Sequence, residues 1–121
     1  MAWEVEYTDE FEAWWAGLDE EEQIDVDVIV GLLEEKGPYL PYPYSSDVKG
    51  TKYGTIRELR VQSKGKPYRI LYAFDSRRTA ILLIGGKKTG GKRWYEKHIP
   101  MAERIYEKHL KSLSDEQGDA L

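Results

Sequence analysis

The sequence contains no cysteine, and its 121 residues include only two histidines, two methionines and two phenylalanines. The lack of cysteine excludes disulfide bonds and thiolate metal sites, and it leaves the redox compartment undetermined. His98 and His109 have no carboxylates at a metal-binding spacing, and the HExxH pattern is absent. We therefore expect no metal or other cofactor, and we expect both histidines to be ordinary surface or helix-boundary residues.

Long hydrophobic runs are also missing. No apolar segment approaches the roughly 20 residues that cross a bilayer. The chain begins Met-Ala-Trp-Glu, without the basic and then apolar run of a signal peptide. We therefore expect a cytoplasmic protein that makes no contact with a membrane.

The charge of the chain is segregated. The net charge is −4, but residues 49–93 carry 13 cationic side chains against two carboxylates, a net of +11, which leaves −15 on the remainder. A basic block of this kind is the electrostatic footprint of a phosphate-binding surface. The alternative is that the cations line solvated strand edges.

The first third of the sequence predicts a strand and a helical hairpin. Alternation in residues 3–7 predicts a half-buried strand. Thr8 or Asp9 is the expected N-cap of a helix that ends at Gly17 or Leu18. Asp19 then caps a second helix, which should stop at Lys36-Gly37-Pro38. The connector in residues 38–46 is rich in proline and tyrosine and is predicted to be extended. Its tyrosines either stack on bases or clamp the connector onto the core.

Residues 54–74 predict a β-hairpin around the polar turn Ser63–Lys66. In this register Arg60 lies directly opposite Arg69, and the two like charges should destabilise the pair. Folding alone offers no reason for that arrangement, whereas an anion held between the two side chains would. The predicted faces carry Leu59, Val61, Tyr68, Ile70 and Tyr72 on one side and Glu58, Arg60, Arg69 and Leu71 on the other.

The last third predicts one more strand and a final helix. Residues 79–84 are apolar on both faces, as expected of a central strand. A glycine- and lysine-rich loop follows from Gly85, and its order of residues is not that of a Walker A loop. Pro100 suits the first position of the final helix. The chain is thus predicted to be one α+β domain over residues 1–113, with a mostly antiparallel sheet packed on an αα-hairpin, a C-terminal helix, and a disordered tail at 114–121.

A cationic candidate site emerges from this arrangement. Pairing of the third strand with the second brings residues 85–88 close to Arg69. Arginine forks can hold a phosphate and stabilise the charge of a phosphodiester transition state without a metal, and a lysine whose pKa is lowered by cationic neighbours can exchange a proton. Glu58 is either a general base or an ion-pair partner of Arg60. Tyr95 or Trp94 can stack a base, although Trp94 also fits the core. The candidate catalytic residues are Arg60, Arg69, Lys87, Lys88, Glu58 and Tyr95, and the candidate RNA-binding residues are Arg57, Lys64, Lys66, Lys92 and Arg93.

Several segments together resemble the HigB branch of the RelE/ParE toxin superfamily, also called phage Gp49-like proteins. The resemblance covers residues 3–113 and rests on the order and spacing of its segments more than on any one motif. The segments are Arg57-Glu58-Leu59-Arg60, Tyr68-Arg69-Ile70-Leu71-Tyr72-Ala73-Phe74, Ile81-Leu82-Leu83-Ile84-Gly85-Gly86-Lys87-Lys88-Thr89-Gly90 and the ending that starts at Trp94-Tyr95.

The resemblance implies a RelE-like fold and a ribosome-dependent mRNA endonuclease that inhibits translation. RelE-like toxins carry basic residues at positions matching Arg60, Arg69, Lys87 and Lys88. They cleave by attack of the RNA 2′-hydroxyl, leaving a 2′,3′-cyclic phosphate. The implied partners are the ribosome, mRNA and a helix-turn-helix antitoxin of the HigA kind, which alone would contact operator DNA. The tyrosine of the last RelE segment matches Tyr95, although the preceding loop is longer here, and the acidic net charge departs from the usual basic character.

Two alternatives belong to other functional classes. The same superfamily fold serves ParE-like poisons of DNA gyrase, which need no nuclease chemistry. A degenerate toxin that only binds its antitoxin is the third possibility. The cationic cluster distinguishes the nuclease from the gyrase poison, since a nuclease needs it and a gyrase-binding protein does not.

Overall fold

The computed structural model describes residues 2–119, and for residues 117–119 it describes the backbone alone. Five strands form one sheet in the order β1-β5-β4-β3-β2. Its strands are β1 (Val5–Tyr7), β2 (Ser45–Asp47), β3 (Ile56–Ser63), β4 (Lys66–Phe74) and β5 (Ala80–Lys87). The helices are α1 (Asp9–Ala16), α2 (Glu20–Lys36) and α3 (Lys92–Asp119). Only β1 pairs in parallel, with β5, so the predicted α+β class and mostly antiparallel sheet are confirmed.

The helical hairpin forms where its capping residues predict. The Thr8 hydroxyl accepts a hydrogen bond of 3.1 Å from the Phe11 amide at the start of α1. Asp19 and Glu22 make a reciprocal capping box at the start of α2, with both bonds at 2.9 Å. Gly37 ends α2 with a positive φ of 57° and leads into the single 3₁₀ turn Gly37–Tyr39. These local signals fix both ends of the hairpin that covers one face of the sheet.

The register of the central hairpin is the predicted one. Arg60 pairs with Arg69, and the turn is tighter than expected, because Ser63 and Lys66 still pair and leave only Lys64 and Gly65 between the strands. Both turn residues have positive φ, as a two-residue hairpin turn requires. The α1/α2 face of the sheet buries Leu59, Val61, Tyr68, Ile70 and Tyr72. The opposite face packs Ile56, Leu71 and Ala73 against α3.

Three boundaries differ from the sequence prediction. β2 was expected only as an extended connector, because a polar three-residue edge strand carries no apolar alternation. β5 continues through Gly85 and Gly86 to Lys87, which we expected to lie in the loop. α3 begins at Lys92 and runs through Pro100, because burial of Trp94 on the sheet, and of Ile99 next to Pro100 in the sequence, outweighs the hydrogen bond that proline removes.

The C-terminal end of α3 extends beyond the predicted end of the domain at residue 113. Leu113 is buried, and the helix continues to Asp119 through most of the segment expected to be a disordered tail. Residues 120 and 121 of that segment lie outside the described residues. Within residues 2–119, no helix combines the length and the apolar character needed to span a bilayer.

Candidate active site

The carboxylate of Glu58 is the centre of the candidate site. It lies on β3, is 4% exposed, and faces α3. Oε1 accepts a hydrogen bond of 2.7 Å from the Tyr95 hydroxyl, and Oε2 accepts one of 2.7 Å from the Ser46 hydroxyl. The Arg60 guanidinium donates to Oε2 at 3.3 Å, and Arg69 Nε lies 3.7 Å from Oε1. One carboxylate thus joins β2, β3, β4 and α3.

This carboxylate corrects our interpretation of the opposed arginines. We expected that folding gave no reason for Arg60 to face Arg69. Glu58 supplies the anion between them from within the fold, since it lies on the same face of the hairpin. Arg69 is 4% exposed, and its Nε has no hydrogen-bond partner within the described part of the chain, while Nη1 donates to the Tyr68 carbonyl at 3.0 Å. Arg60 is less buried, and its guanidinium lies 5.2 Å from the centre of the Tyr42 ring.

Tyr95 reaches the site from the first turns of α3. Burial and the hydrogen bond to Glu58 raise the pKa of the Tyr95 hydroxyl, and the nearby Arg69 partly opposes that rise. The phenol therefore keeps its proton at neutral pH and acts as a donor. Lys88 places its ammonium 5.4 Å from the centre of the Tyr95 ring, so this lysine also lies at the site.

Lys87 does not join this cluster. It lies opposite Tyr68 in the β4–β5 register, and opposed residues share a face, so its side chain lies on the α1/α2 side of the sheet. Its neighbour there is Lys66, which lowers the pKa of the Lys87 ammonium through direct contact and charge repulsion. A lysine with a pKa lowered by a cationic neighbour was predicted, but it lies across the sheet from Glu58.

The structure divides the predicted RNA-binding residues. Arg57 pairs with Asp47 and Lys64 pairs with Asp19, so acidic neighbours neutralise both. Lys92 lines a groove of about 620 Å³ beside Glu58. The acidic residues of that groove are Asp47, Glu58, Glu96 and Glu103. Arg93 lies on another side of α3, by the end of β5.

Two features of the structure are not predicted by the sequence. Ser46 holds Glu58 in place, but it belongs to a short polar edge strand that has no sequence signal. His109 and His98 are not free surface residues: His109 Nε2 lies 3.0 Å from Asp75 Oδ2, and His98 Nδ1 lies 2.8 Å from the Trp94 carbonyl. The sequence offers one clue to the His98 contact: Trp94 precedes His98 by four residues, the spacing of neighbours along one face of a helix.

Comparison with known proteins identifies relatives over most of the chain. Residues 13–107 match the family described as phage derived protein Gp49-like (DUF891). The chain is 39% identical over 105 residues to "Putative toxin HigB2" of Mycobacterium tuberculosis, a match that covers 85% of this chain and 52% of the relative. It is 40% identical over 102 residues to "Putative toxin HigB3" of the same organism, covering 84% and 88%. The chain therefore spans about half the length of the first relative and most of the second.

Solved structures show the same fold at low sequence identity. A mutant of Escherichia coli toxin RelE in the free state superposes with a TM-score of 0.55 at 12% identity, over 80% of this chain and 94% of that one. The toxin of the RelBE2 complex from M. tuberculosis gives 0.54 at 18% identity, over 73% and 93%. RelE in the RelE–RelB complex from Pyrococcus horikoshii gives 0.52 at 17% identity, over 75% and 100%.

The family match spans well over half of the chain, the two curated relatives exceed 30% identity, and the RelE structures share the overall fold. The resemblance inferred from the sequence is thus confirmed at the level of family and fold. The chain belongs to the phage-derived Gp49-like family, as a HigB-like member that has a RelE-like fold.

Proposed function

We propose that the chain is the toxin of a type II toxin–antitoxin system and acts as a ribosome-dependent mRNA endonuclease. One observation carries this proposal: Arg60, Arg69 and the Tyr95 hydroxyl all contact the Glu58 carboxylate on a single face of the sheet. Such a set can cleave RNA without a metal, because RNA carries its own nucleophile. The similarity to HigB2 and HigB3, both named as toxins, supports the assignment.

In the proposed reaction the RNA 2′-oxygen attacks the adjacent phosphorus, and the bond from phosphorus to the 5′-oxygen breaks. Glu58 takes the proton of the 2′-hydroxyl, and Tyr95 or Lys88 supplies a proton to the departing 5′-oxygen. Arg60 and Arg69 stabilise the negative charge that develops on the phosphoryl oxygens. The products are a 2′,3′-cyclic phosphate and a 5′-hydroxyl end.

The described conformation is closed, in the sense that the groups proposed for this chemistry already bind one another. Glu58 is engaged on both oxygens, and Arg69 is buried beneath it. A scissile phosphate must therefore replace the Glu58 carboxylate as the anion that both arginines face. We propose that binding in the ribosomal A site opens the contact between Tyr95 and Glu58, which frees the carboxylate to act as a base.

The proposed partners are the ribosome with its mRNA and a helix-turn-helix antitoxin of the HigA kind, in the cytoplasm. Two of the structures that share the fold are complexes of a RelE toxin with its antitoxin, which supports an antitoxin partner for this chain. Operator DNA is contacted through the antitoxin only. The basic residues near Tyr95 provide the ribosome-facing surface, because the body of the protein is acidic.

The decisive experiment is cleavage of mRNA on programmed ribosomes by purified Arg69→Ala and Arg60→Ala variants. Each should lower the rate by roughly 100-fold, the usual effect of removing a donor that stabilises a transition-state oxyanion. Lys111→Ala is the matched control, an exposed cation near the far end of α3, and should cleave at the normal rate. Full activity of folded Arg69→Ala would remove the role given to this residue.

A ParE-like action on gyrase is the second candidate, since Glu58 neutralises both arginines in the closed conformation and no cleavage need follow. Mapping the 5′ ends of cellular mRNA after induced expression separates the two. New ends within translated reading frames support the nuclease. Intact mRNA together with chromosomal breaks and an SOS response supports the gyrase poison, and growth without arrest indicates a degenerate toxin.

A further inference from the structure

A smaller cavity, lined by cationic side chains, lies between the end of β5 and the first turns of α3. Its volume is about 360 Å³, and we refer to it as the α3 pocket. Its lining residues are Gly86, Lys87, Thr89, Gly90, Arg93, Trp94, Lys97 and His98. We propose that the α3 pocket binds a phosphodiester group of the RNA next to the one that is cleaved, and the proposal rests on the nuclease function proposed above.

The charges of the α3 pocket favour an anion. Arg93 and Lys97 lie one helical turn apart, so their side chains project from the same side of α3. Both are exposed, and neither side chain makes a hydrogen bond or salt bridge within residues 2–116. Among residues 2–116, no carboxylate lines this cavity, in contrast to the four that line the larger groove. The two cations are therefore available to a ligand of opposite charge.

A buried polar group without a partner adds independent support. Trp94 is 4% exposed, and its indole N–H has no hydrogen-bond acceptor among the residues that the structure describes. A methyl group added at Gly86 would lie 2.9 Å from Trp94 Nε1 and 3.2 Å from His98 Nε2. Both ring nitrogens therefore converge on the α-carbon of Gly86, at the wall of the α3 pocket. Because Nε1 is buried against Gly86, a phosphate oxygen reaches it only after a shift of the Trp94 ring, and it would then give the indole N–H the acceptor that it lacks.

His98 is arranged to become a second donor. Its Nδ1 lies 2.8 Å from the Trp94 carbonyl, which can only accept, so Nδ1 carries the proton of the neutral ring. Its Nε2 is then free to bind a further proton when an anion approaches. Burial lowers the pKa of His98, the Trp94 carbonyl opposes that change, and the Lys97 charge adds to it. The ring is therefore neutral at pH 7 until an anion compensates the cations around it.

The backbone contributes through the dipole of a long helix. α3 starts at Lys92 beside the α3 pocket, and a helix N-terminus carries about half a positive charge. The amides of Arg93 and Trp94 already donate to the carbonyls of Gly90 and Gly91, each at 3.1 Å, so the dipole rather than these N–H groups acts on the ligand. Gly90 and Gly91 both have positive φ, which lets the loop turn closely around the cavity.

The α3 pocket adjoins the candidate active site. Gly86 pairs directly with Arg69 across β4 and β5, and the Trp94 ring lies 5.2 Å from the Tyr95 ring, centre to centre. The two rings separate the α3 pocket from Glu58. An RNA strand with one phosphate at Arg60 and Arg69 would therefore pass over Tyr95 and bring a neighbouring phosphate to Arg93 and Lys97.

The test measures binding of an RNA oligonucleotide in which every ribose is 2′-O-methylated, so that cleavage cannot occur. Arg93→Ala and Lys97→Ala should each weaken binding by roughly tenfold and reduce the slope of log affinity against log salt by about one. Lys111→Ala removes the same charge farther along α3 and should leave affinity within about twofold. Circular dichroism confirms folding, which these exposed substitutions should not alter.

A second measurement follows the His98 ring by NMR during a pH titration of the unmodified protein. Addition of the oligonucleotide should raise the pKa of His98, because a bound phosphate favours the imidazolium form over the repulsion from Lys97. The NMR signal of His109, which contacts Asp75, is the internal reference and should not move when the oligonucleotide is added. A DNA strand of the same sequence and inorganic phosphate serve as further ligands.

The outcomes separate this proposal from the nuclease proposal. Loss of binding in Lys97→Ala, even in a protein that cleaves nothing, supports the α3 pocket. Equal affinity of Lys97→Ala, Arg93→Ala and Lys111→Ala, with no change at His98, overturns it even where cleavage proceeds. A response of His98 to inorganic phosphate but to neither oligonucleotide also overturns it. Matching responses to RNA and DNA support a site that recognises the phosphodiester itself.

Discussion

The hydroxyl of Tyr95 on α3 donates a hydrogen bond of 2.7 Å to Oε1 of Glu58 on β3. Through this bond the first turn of the C-terminal helix closes over the buried ion pairs of the sheet. Burial and this hydrogen bond together raise the pKa of the phenol, so Tyr95 keeps its proton and acts as the donor. This contact therefore contributes both to the stability of the site and to the chemistry proposed for it.

Removal of the Tyr95 hydroxyl should weaken the fold modestly. Tyr95→Phe leaves Oε1 of Glu58 with Arg69 alone, and the expected loss of unfolding free energy is about 1 kcal/mol at pH 7. Because the pKa of Tyr95 is raised on folding, its contribution is fully present below the ordinary value of 10.0 and is lost as pH rises through the raised value. Urea titrations of both proteins at neutral and alkaline pH measure the difference. Tyr39→Phe, at a tyrosine that is 77% exposed, is the control, and an equal loss in that variant would contradict the role of Tyr95.

Glu58→Gln should be the more damaging change. It leaves two facing arginines, one of them buried, without the anion between them, and breaking a buried ion pair costs about 3 kcal/mol or more. Chemical denaturation should show this loss. Glu96→Gln, an exposed carboxylate on α3, should change stability by less than about 0.5 kcal/mol. If the two variants are equally stable, Glu58 does not hold the arginines together.

A second substitution tests the cause of that loss. In the Glu58→Gln background, Arg69→Met removes the uncompensated buried charge and replaces it with an apolar side chain of similar length. The double variant should regain a large part of the stability, because buried pairs can be replaced by apolar residues at little cost. Additive losses in the double variant would show that Glu58 and Arg69 are not coupled.

Local signals explain which parts of the fold could be predicted from the sequence. The caps at Thr8 and Asp19 and the hairpin register around Gly65 depend on neighbouring residues, and all three were predicted. The path of α3 depends instead on distant contacts. Pro100 predicted a helix start, and only burial of Trp94 against the sheet explains why the helix begins at Lys92.

The candidate site likewise combines features that depend on neighbouring residues with features that depend on distant contacts. The register predicted that Arg60 would face Arg69, because side-chain alternation in a hairpin is local. The partner of the two arginines depends on tertiary structure, as Glu58 is held from β2 by Ser46 and from α3 by Tyr95. Lys87 was misplaced for a related reason. Proximity along β5 brought it near Arg69, but alternation put its side chain on the other face.

The buried carboxylate of Asp75 anchors α3 to the turn between β4 and β5. Its ionisation should make the stability of the protein sensitive to acid. Asp75 has a fully buried side chain that accepts hydrogen bonds from Arg77, from the Thr79 amide and from His109 of α3. Burial alone would raise the pKa of Asp75, but the bonds from Arg77 and His109 outweigh it and lower the pKa. The stability contributed by the ionised carboxylate is therefore present above the ordinary value of 3.8 and is lost as pH falls through the lowered value.

Asp75→Asn should therefore lower the unfolding free energy by about 3 kcal/mol at pH 7. The gap to the unmodified protein should narrow as pH falls below 4, where the native carboxylate also becomes protonated. Thermal unfolding at several pH values measures that gap. Asp27→Asn, at an exposed position on α2, is the control. A gap that stays constant down to acidic pH would show that the charge of Asp75 contributes nothing.

Replacement by alanine should have opposite effects on stability at two of the glycines. A methyl group at Gly85 on β5 would lie 2.4 Å from the indole carbons of Trp14 on α1, far inside van der Waals contact. Gly85→Ala should therefore force α1 away from the sheet and cost about 1–3 kcal/mol, the usual effect of overpacking. Gly31 lies inside α2 with nothing within 4 Å of an added methyl group. Gly31→Ala should stabilise the protein by about 0.5–1 kcal/mol, because alanine loses less conformational freedom than glycine in a helix. Denaturant titrations of the two variants test both signs together, and a stabilising Gly85→Ala would show that α1 does not pack on β5 through Trp14.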